Sequence, residues 1–492
     1  MVLCSVLMAQ NEIVFNKVSI RFKAGTIEQY LDTIQSQNGV VFVYSDAIQP
    51  KNTTSIQEGL YTISQVLDSL FVNQSVMYVT RENLIILSPQ NEQSIKSSKV
   101  VVMGAVVNQK QMPVPFATVF IENRSLGTIA NNEGKFRFVL PANSVSDTLK
   151  VSSLGYESQL VYPNQYLTEN LVIKLKRASI PLKEVVVRPE DPKYIVRESY
   201  DRIKKNYSNR HLIMNAFFRE ASKQDDDYIS LSEALIEIKK SSYSSQLNDL
   251  VKLVKGRNGT NTSESELVNL VVEGGLFNGL RLDVVKYDSY FFGKDMLDEC
   301  YYTLKNRIFI NGRQTYVIEF KARENRDYAA YQGKLYIDVE SLALVRAEFE
   351  LSREGLKYSR SLLVKKRPRG YKVKPISAKY VVEYRYYNNV WNLHHARSDL
   401  SIRVKKVRGK ENKGFSCVFT SSSEFVITGI TENPDKKMPF KVVSKSNDVL
   451  VEQVAGTEPQ YWINENIILP EEPLQNTILR LQEQGELPVS VE

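Results

Sequence analysis

Two stretches near the amino end repeat one pattern of apolar and polar positions. Segment 26–34 (Thr-Ile-Glu-Gln-Tyr-Leu-Asp-Thr-Ile) recurs as 62–70 (Thr-Ile-Ser-Gln-Val-Leu-Asp-Ser-Leu). Ile27, Tyr30, Leu31 and Ile34 in the first copy, and Ile63, Val66, Leu67 and Leu70 in the second, fall at helical spacing and give each segment one apolar stripe. In both copies a Thr is followed three positions later by Gln, the reciprocal capping pattern, so each helix is predicted to begin there. Neither is long enough to be stable alone. Short apolar runs at 18–22, 40–44, 53–56, 76–79 and 84–87 read as strands, and Asn38-Gly39 is a stop for the first helix. The predicted order is β-α-β-β-α-β-β over residues 14–89, with both stripes sharing one core on a single small sheet.

After a polar linker at 90–98 the period changes to that of short strands. Residues 101–107 form one, with Gly104 inside it; Pro113 and Pro115 break the chain; Ala117, Val119 and Ile121 alternate with Thr118, Phe120 and Glu122. Segment 127–134 is a glycine-bounded turn that allows positive φ, and Phe136 and Phe138 share one face of the next strand. Runs at 149–152 and 171–175 complete a predicted β-sandwich over 99–177.

The region from 190 to 480 opens with Asp191-Pro192, an N-cap and a first-turn proline, before a helix with Ile195, Val196, Ser199, Ile203 and Tyr207 toward one side. Strands follow at 212–219, 228–239, 302–310, 314–320, 334–338, 343–351, 379–387 and 391–404. Asn311-Gly312 is the strongest hairpin signal in the chain, and Asn388-Asn389 marks another. Successive hairpins imply one curved antiparallel meander, half-barrel-like, with the early helix packed on it. The fold class read from the pattern is multidomain α+β.

The repeat-bearing module resembles the short N-terminal domain of secretins and TonB-dependent transducing receptors, a periplasmic docking module. The sandwich resembles the carboxypeptidase regulatory-like domain through Gly104, Pro113 to Ala117, Gly127-Thr128, Gly134 with Phe136, and segment 153–156 (Ser-Leu-Gly-Tyr). It departs from that pattern at Asn131-Asn132, where an Asp is common. Segments 206–207, 217–220, 255–257, 333–338 and 461–468 are similar to the C-terminal portion of envelope proteins called carboxypeptidase-like regulatory domain-containing proteins, and the strand at 333–338 with its partner at 343 also looks like the half-barrels of lipoprotein-sorting carriers. These resemblances imply a non-enzymatic envelope protein at the periplasmic face of the outer membrane, acting in docking, scaffolding or signalling and linked to TonB-dependent systems. A carrier of lipid or another apolar ligand is the alternative, and an uncharacterised hydrolase a remote one.

Residues 1–10 read as the remnant of a signal peptide ending at Ala9-Gln10, with Cys4 offering a less suitable lipoprotein anchor. No other stretch has the apolar length of a spanning helix. Cys300 and Cys417 permit one disulfide but no framework, and Cys417 reads as a packed strand residue. The 492-residue chain carries 64 basic against 56 acidic side chains, a net charge of +8. The excess is local: residues 360–413 hold sixteen basic and three acidic ones.

Lys365, Lys366, Arg367, Arg369, Arg403, Lys405, Lys406 and Arg408 therefore form a candidate anionic-binding surface, for lipid headgroups, lipopolysaccharide or an acidic partner rather than nucleic acid. Thr26, Tyr30 and Thr62 on the module, with the extended run Val185, Val186 and Val187, are candidates for docking an envelope protein. No catalytic, cofactor or metal constellation is expected. The three histidines lack zinc-binding spacing, and on a regular strand His394 and His395 point to opposite faces, one toward the core and one toward solvent. Glu233, Glu237, Asp338 and Glu383 lie on predicted strands with no two carboxylates paired.

Overall fold

In a computed structural model the chain is described over residues 16–89, 99–178, 191–260, 267–406, 415–432 and parts of 438–471, apart from short stretches inside these ranges. Contacts divide it into two compact units, one holding 1–104, 138–149 and 160–171, the other 105–137, 150–159 and 172–492. The described chain is predominantly strand.

Helices Ile27–Asn38 and Ile63–Leu70 begin where the repeat predicts. In each, the Thr hydroxyl accepts the Gln N–H at 3.2 Å and the Gln side-chain oxygen accepts the Thr N–H at 2.9 Å. Gly39, in the left-handed region at φ 64°, ends the first helix. Both stripes are buried in one apolar cluster with Val18, Ile20, Phe42, Ile85 and Leu87. The single sheet is corrected to three small ones. Lys17–Ile20 pairs with Gly59–Thr62, Gly25–Thr26 with Thr53–Thr54, and Leu84–Pro89 lies between Val41–Val43, to which it is parallel, and Val76–Arg81. Strand Gly59–Thr62 has no wholly buried side, so it left no alternation to read.

Among the described residues the sandwich has seven strands. One sheet runs Gly127–Ile129, Thr118–Ile121, Leu149–Ser152, Gln159–Val161, and the other Lys135–Pro141, Lys99–Asn108, Leu171–Leu175. Phe136 and Phe138 are fully buried. Asn131 supplies the turn chemistry that an Asp would: its side-chain oxygen accepts the Glu133 and Lys135 N–H groups at 3.0 and 2.9 Å, with Gly134 at φ 74°.

The third region is a ten-stranded antiparallel sheet of β1 (Leu212–Gln224), β2 (Asp227–Lys240), β3 (Leu250–Thr260), β4 (Cys300–Ile310), β5 (Arg313–Ala322), β6 (Tyr331–Asp338), β7 (Leu344–Leu351), β8 (Tyr371–Tyr387), β9 (Val390–Lys406) and β10 (Ser416–Thr431). The order is β3-β2-β1-β10-β9-β8-β7-β6-β5-β4. The expected single meander is thus two meanders, joined where β1 pairs with β10. At the β4–β5 hairpin Asn311 and Gly312 both take positive φ, 53° and 80°, and at the β8–β9 hairpin Asn388 and Asn389 take 52° and 62°, as a type I′ turn requires.

One face of this sheet is apolar and covered by helices. Pro192–Asp201 is capped by the Asp191 carboxylate, which accepts the Lys193 N–H at 2.9 Å. It and the short helix Gly275–Leu280 bury Ile195, Val196, Leu276 and Leu280 in the same core as Phe218, Phe320, Phe349 and Tyr380 of the strands. Phe291 stacks on Phe320 at 4.5 Å and meets Phe349 tilted at 4.7 Å, ring centre to ring centre. The chain's own side chains thereby fill this face. Within the filling sits a buried charged cluster: the Lys240 ammonium donates to Asp249 and Asp283 at 2.6 Å each, and Tyr243 and Tyr384 also donate to Asp283.

Candidate functional site

Alternation along a strand sends the neighbours of these core residues to the opposite face, and there the sequence places charge. Register sets Arg257 of β3 opposite Glu233 of β2, Glu233 opposite Arg219 of β1, Arg219 opposite Glu424 of β10, and Glu424 opposite Arg397 of β9. One step along β9, His395 faces Glu383 of β8, which faces Arg346 of β7. The result is a row of charge crossing seven strands, alternating in sign from Arg257 to Arg397. Arg257 Nε donates to Glu233 Oε2 at 2.6 Å and Arg219 Nε to Oε1 at 2.7 Å. His395 spans two carboxylates, with Nε2 2.9 Å from Glu424 and Nδ1 3.1 Å from Glu383. Arg346 is ion-paired to Glu383.

The row is largely buried. Glu233 is 0% exposed and His395 2%, while Arg397, Glu383 and Arg346 are half-buried; a part of the sandwich, Trp462 and Ile468 cover the row. Phe116, held at φ 55°, lays its ring nearly parallel to His395 and 5.1 Å from the Arg397 guanidinium. Trp462 lies 5.1 Å from the Arg257 guanidinium, and Arg219 Nη2 donates to the Ile468 carbonyl at 2.6 Å. Farther along β8, the buried Arg385 donates to the carbonyls of Ser125, Leu126 and Arg124. Burial lowers its pKa to about 10.

Burial alone would raise the Glu233 carboxyl, but Arg257 and Arg219 hold it below its ordinary value. Glu424 is likewise held down against burial, by His395, Arg397 and Arg219. Cavities of about 130 and 180 Å³ flank Phe116; Arg219, Lys223, Ser422 and Glu424 line the first, and Ser152, Asn311, Arg346 and Glu383 the second. Glu233 is hydrogen-bonded to two guanidinium groups and Glu383 is ion-paired to Arg346, so the arrangement ties neighbouring strands together. Among the described residues no group of His, Cys, Asp and Glu could hold a metal ion.

Several expectations change here. The strand is not regular at His394 and His395, for the β8–β9 register shifts between Glu383 and Tyr384. His394 lines a cavity with Phe116, Glu383 and Arg385, on the same face where His395 stacks on Phe116. The two histidines therefore do not part to opposite faces, and neither meets solvent. Burial, with Arg385 and His395 nearby, pushes His394 well below its ordinary pKa. Glu383 does share a site with a second carboxylate, Glu424, through His395. Glu233 sits between two arginines, and Asp338 pairs with Arg313 at 2.7 Å. Cys300 and Cys417 are buried and not joined in a disulfide, and burial raises the Cys417 thiol to about 11.

Thr26 and Thr62 are half-buried and engaged in capping. Tyr30 is corrected from docking surface to core: it is 0% exposed and its hydroxyl accepts the Ile56 N–H. Val185, Val186, Val187 and Arg408 lie outside the described residues. Lys365, Lys366, Arg367, Arg369, Arg403 and Lys405 are exposed, whereas Lys406 is half-buried with its ammonium 5.5 Å from the Tyr371 ring centre. The register adds Lys372 and Lys374, which lie opposite Lys405 and Arg403.

Residues 102–187 match the family model described as CarboxypepD_reg-like domain. No curated protein matches the sequence. Among solved structures, a DUF1329 family protein from Desulfovibrio piger aligns at 9% identity over 50% of this chain and 96% of its own, with a TM-score of 0.26. A putative outer membrane lipoprotein-sorting protein domain from Vibrio parahaemolyticus aligns at 9% identity, covering 50% and 95%, with a TM-score of 0.26. A LolA superfamily protein from Nitrosomonas europaea aligns at 12% identity, covering 52% and 97%, with a TM-score of 0.19. With every score below 0.5, the fold described above rests on the chain's own sheet order. Among the described residues no helix is long and apolar enough to cross a membrane.

Proposed function

We propose that the protein is a non-enzymatic scaffold of the cell envelope, exported to the periplasmic side of the outer membrane, where the module at 14–89 docks a protein partner. The observation that carries the scaffold reading is the filled face of the ten-stranded sheet. Phe291, Phe292, Leu276, Leu280 and Ile195 occupy the space that an acyl chain would need, so the sheet serves as a rigid support. The two cavities beside Phe116 are small, and polar side chains line much of each. The envelope assignment draws on the resemblance of the twin-helix module to periplasmic docking domains and on its succession by a carboxypeptidase regulatory-like sandwich; a link to TonB-dependent systems belongs to the same reading.

The test is native mass spectrometry of the gently purified full chain, paired with fractionation and crosslinking. Expected are a polypeptide mass without a lipid adduct and recovery with the envelope fraction. Photocrosslinkers at Leu60 and Val72, which are 62% and 77% exposed on the module, should capture one defined envelope protein. A stoichiometric lipid adduct would favour carriage instead, and recovery in the cytosol would remove the compartment.

A further inference from the structure

The two central strands β8 and β9 treat charge differently along their length. Toward the middle of the sheet a cation meets a carboxylate, Lys379 facing Asp399, and Glu383 faces His395. At the other end the rule is broken twice in succession, for Lys374 faces Arg403 and Lys372 faces Lys405. All four are exposed, and no carboxylate pairs with any of them among the described residues. Directly opposed side chains on paired strands have Cβ atoms about 5 Å apart, and successive same-face positions along a strand are about 7 Å apart. Four cations thus crowd a small rectangle in which each opposed pair works against strand pairing. Such an arrangement is stabilised by an anion laid across it.

The neighbourhood extends the pattern. Arg367 donates to the Tyr371 carbonyl at 2.9 Å, which fixes the 365–367 segment beside the start of β8. Lys357, Arg360, Lys365 and Arg367 line an open cavity of about 440 Å³ together with Tyr358. Exposed apolar groups stand among these cations: Tyr358 is 46% exposed, Ile376, in the β8 bulge next to Lys374, 37%, and Phe415, before β10, 37%. Clustered cations with interspersed apolar side chains match a bilayer, whose phosphates meet the charge and whose interface accepts the apolar groups.

We propose that this end of the sheet is a platform for an anionic lipid bilayer, with the pairs Lys372/Lys405 and Lys374/Arg403 seating lipid phosphates. The proposal rests on the envelope reading for its biological setting, but its test does not.

The full chain is sedimented with vesicles of phosphatidylcholine alone and of phosphatidylcholine with phosphatidylglycerol. Binding is expected only to the second and should weaken with salt. The K372S/K374S double variant should lose roughly thirtyfold in partitioning, while its thermal midpoint stays level or rises because like-charge opposition is relieved. K204S/K205S, which neutralises exposed lysines elsewhere, should bind as the parent does. Three results would overturn the platform: equal binding to neutral vesicles, an unaltered K372S/K374S variant, or failure on vesicles while an oligonucleotide or an acidic protein is retained. Vesicle failure with envelope recovery removes the platform alone, and vesicle binding with cytosolic recovery removes the compartment alone.

Discussion

The imidazole of His395 lies 2.9 Å from the Glu424 carboxylate on the neighbouring strand. The other ring nitrogen faces Glu383, and the ring can donate to both only with a proton on each nitrogen. This contact joins the two halves of the charged row, since Arg257, Glu233 and Arg219 lie on one side of it and Glu383 and Arg346 on the other. Because Phe116 stacks above the ring, the row also bears on how part of the sandwich is held.

The row predicts an acid-sensitive fold. Glu233 and Glu424 both have folded pKa values below their ordinary 4.5. A depressed carboxyl contributes stability that is complete above its unfolded value and is lost as pH falls through the folded one. Denaturant unfolding followed from pH 7 downward should therefore show stability declining below pH 4.5. E424Q should flatten that decline, and an unchanged acid slope in E424Q would show that the row does not govern it.

Truncating one member should cost more than removing a surface ion pair. E233Q leaves Arg219 and Arg257 buried without their shared carboxylate, so a loss of about 3–5 kcal/mol is expected. K240M, which strands Asp249 and Asp283 in the core, should cost a similar amount. Urea denaturation of both variants checks this, with the exposed pair Arg210–Glu432 as the control at about 0–1 kcal/mol.

How much of this was legible beforehand depended on the range of the signal. The twin helices, the Asn311-Gly312 turn and the Asp191-Pro192 helix start are local, each written within a few residues, and the structure places them where the pattern did. The charged row was not legible, because its members become neighbours only when β1 pairs with β10 across most of the third region. Glu424 was never singled out, and β3 was not among the predicted strands, although segment 255–257 within it carried part of a resemblance. Tyr30 shows the converse limit: its helical spacing marked it as apolar stripe, and the core claimed it. Lys372 and Lys374 were counted in the basic excess, yet only the register reveals that they oppose other cations.

The filled face predicts how the scaffold reading responds to an engineered void. Phe291 is 1% exposed, stacked on Phe320 and tilted against Phe349. F291A should cost about 3–5 kcal/mol and leave an apolar cavity. If the sheet is a support whose interior is occupied by its own chain, the parent should not take up a small apolar probe such as benzene, and F291A should. Isothermal calorimetry distinguishes this from a carrier, in which the parent would bind the probe as well.

The capping boxes give the most local prediction. Thr26 and Thr62 each satisfy one free N–H of their helix and anchor a Gln that satisfies another. T26A removes an acceptor without disturbing the apolar stripe and should cost about 1 kcal/mol, and T62A should do the same. Their effects fall on one shared core, so amide hydrogen exchange should accelerate across both helices in either single variant rather than only in the helix that lost its cap. T26S, which keeps the hydroxyl, should exchange at close to the parent rate. Exchange confined to the mutated helix would mean that the two helices unfold independently, and the module would then lack the common core on which its role as a docking unit depends.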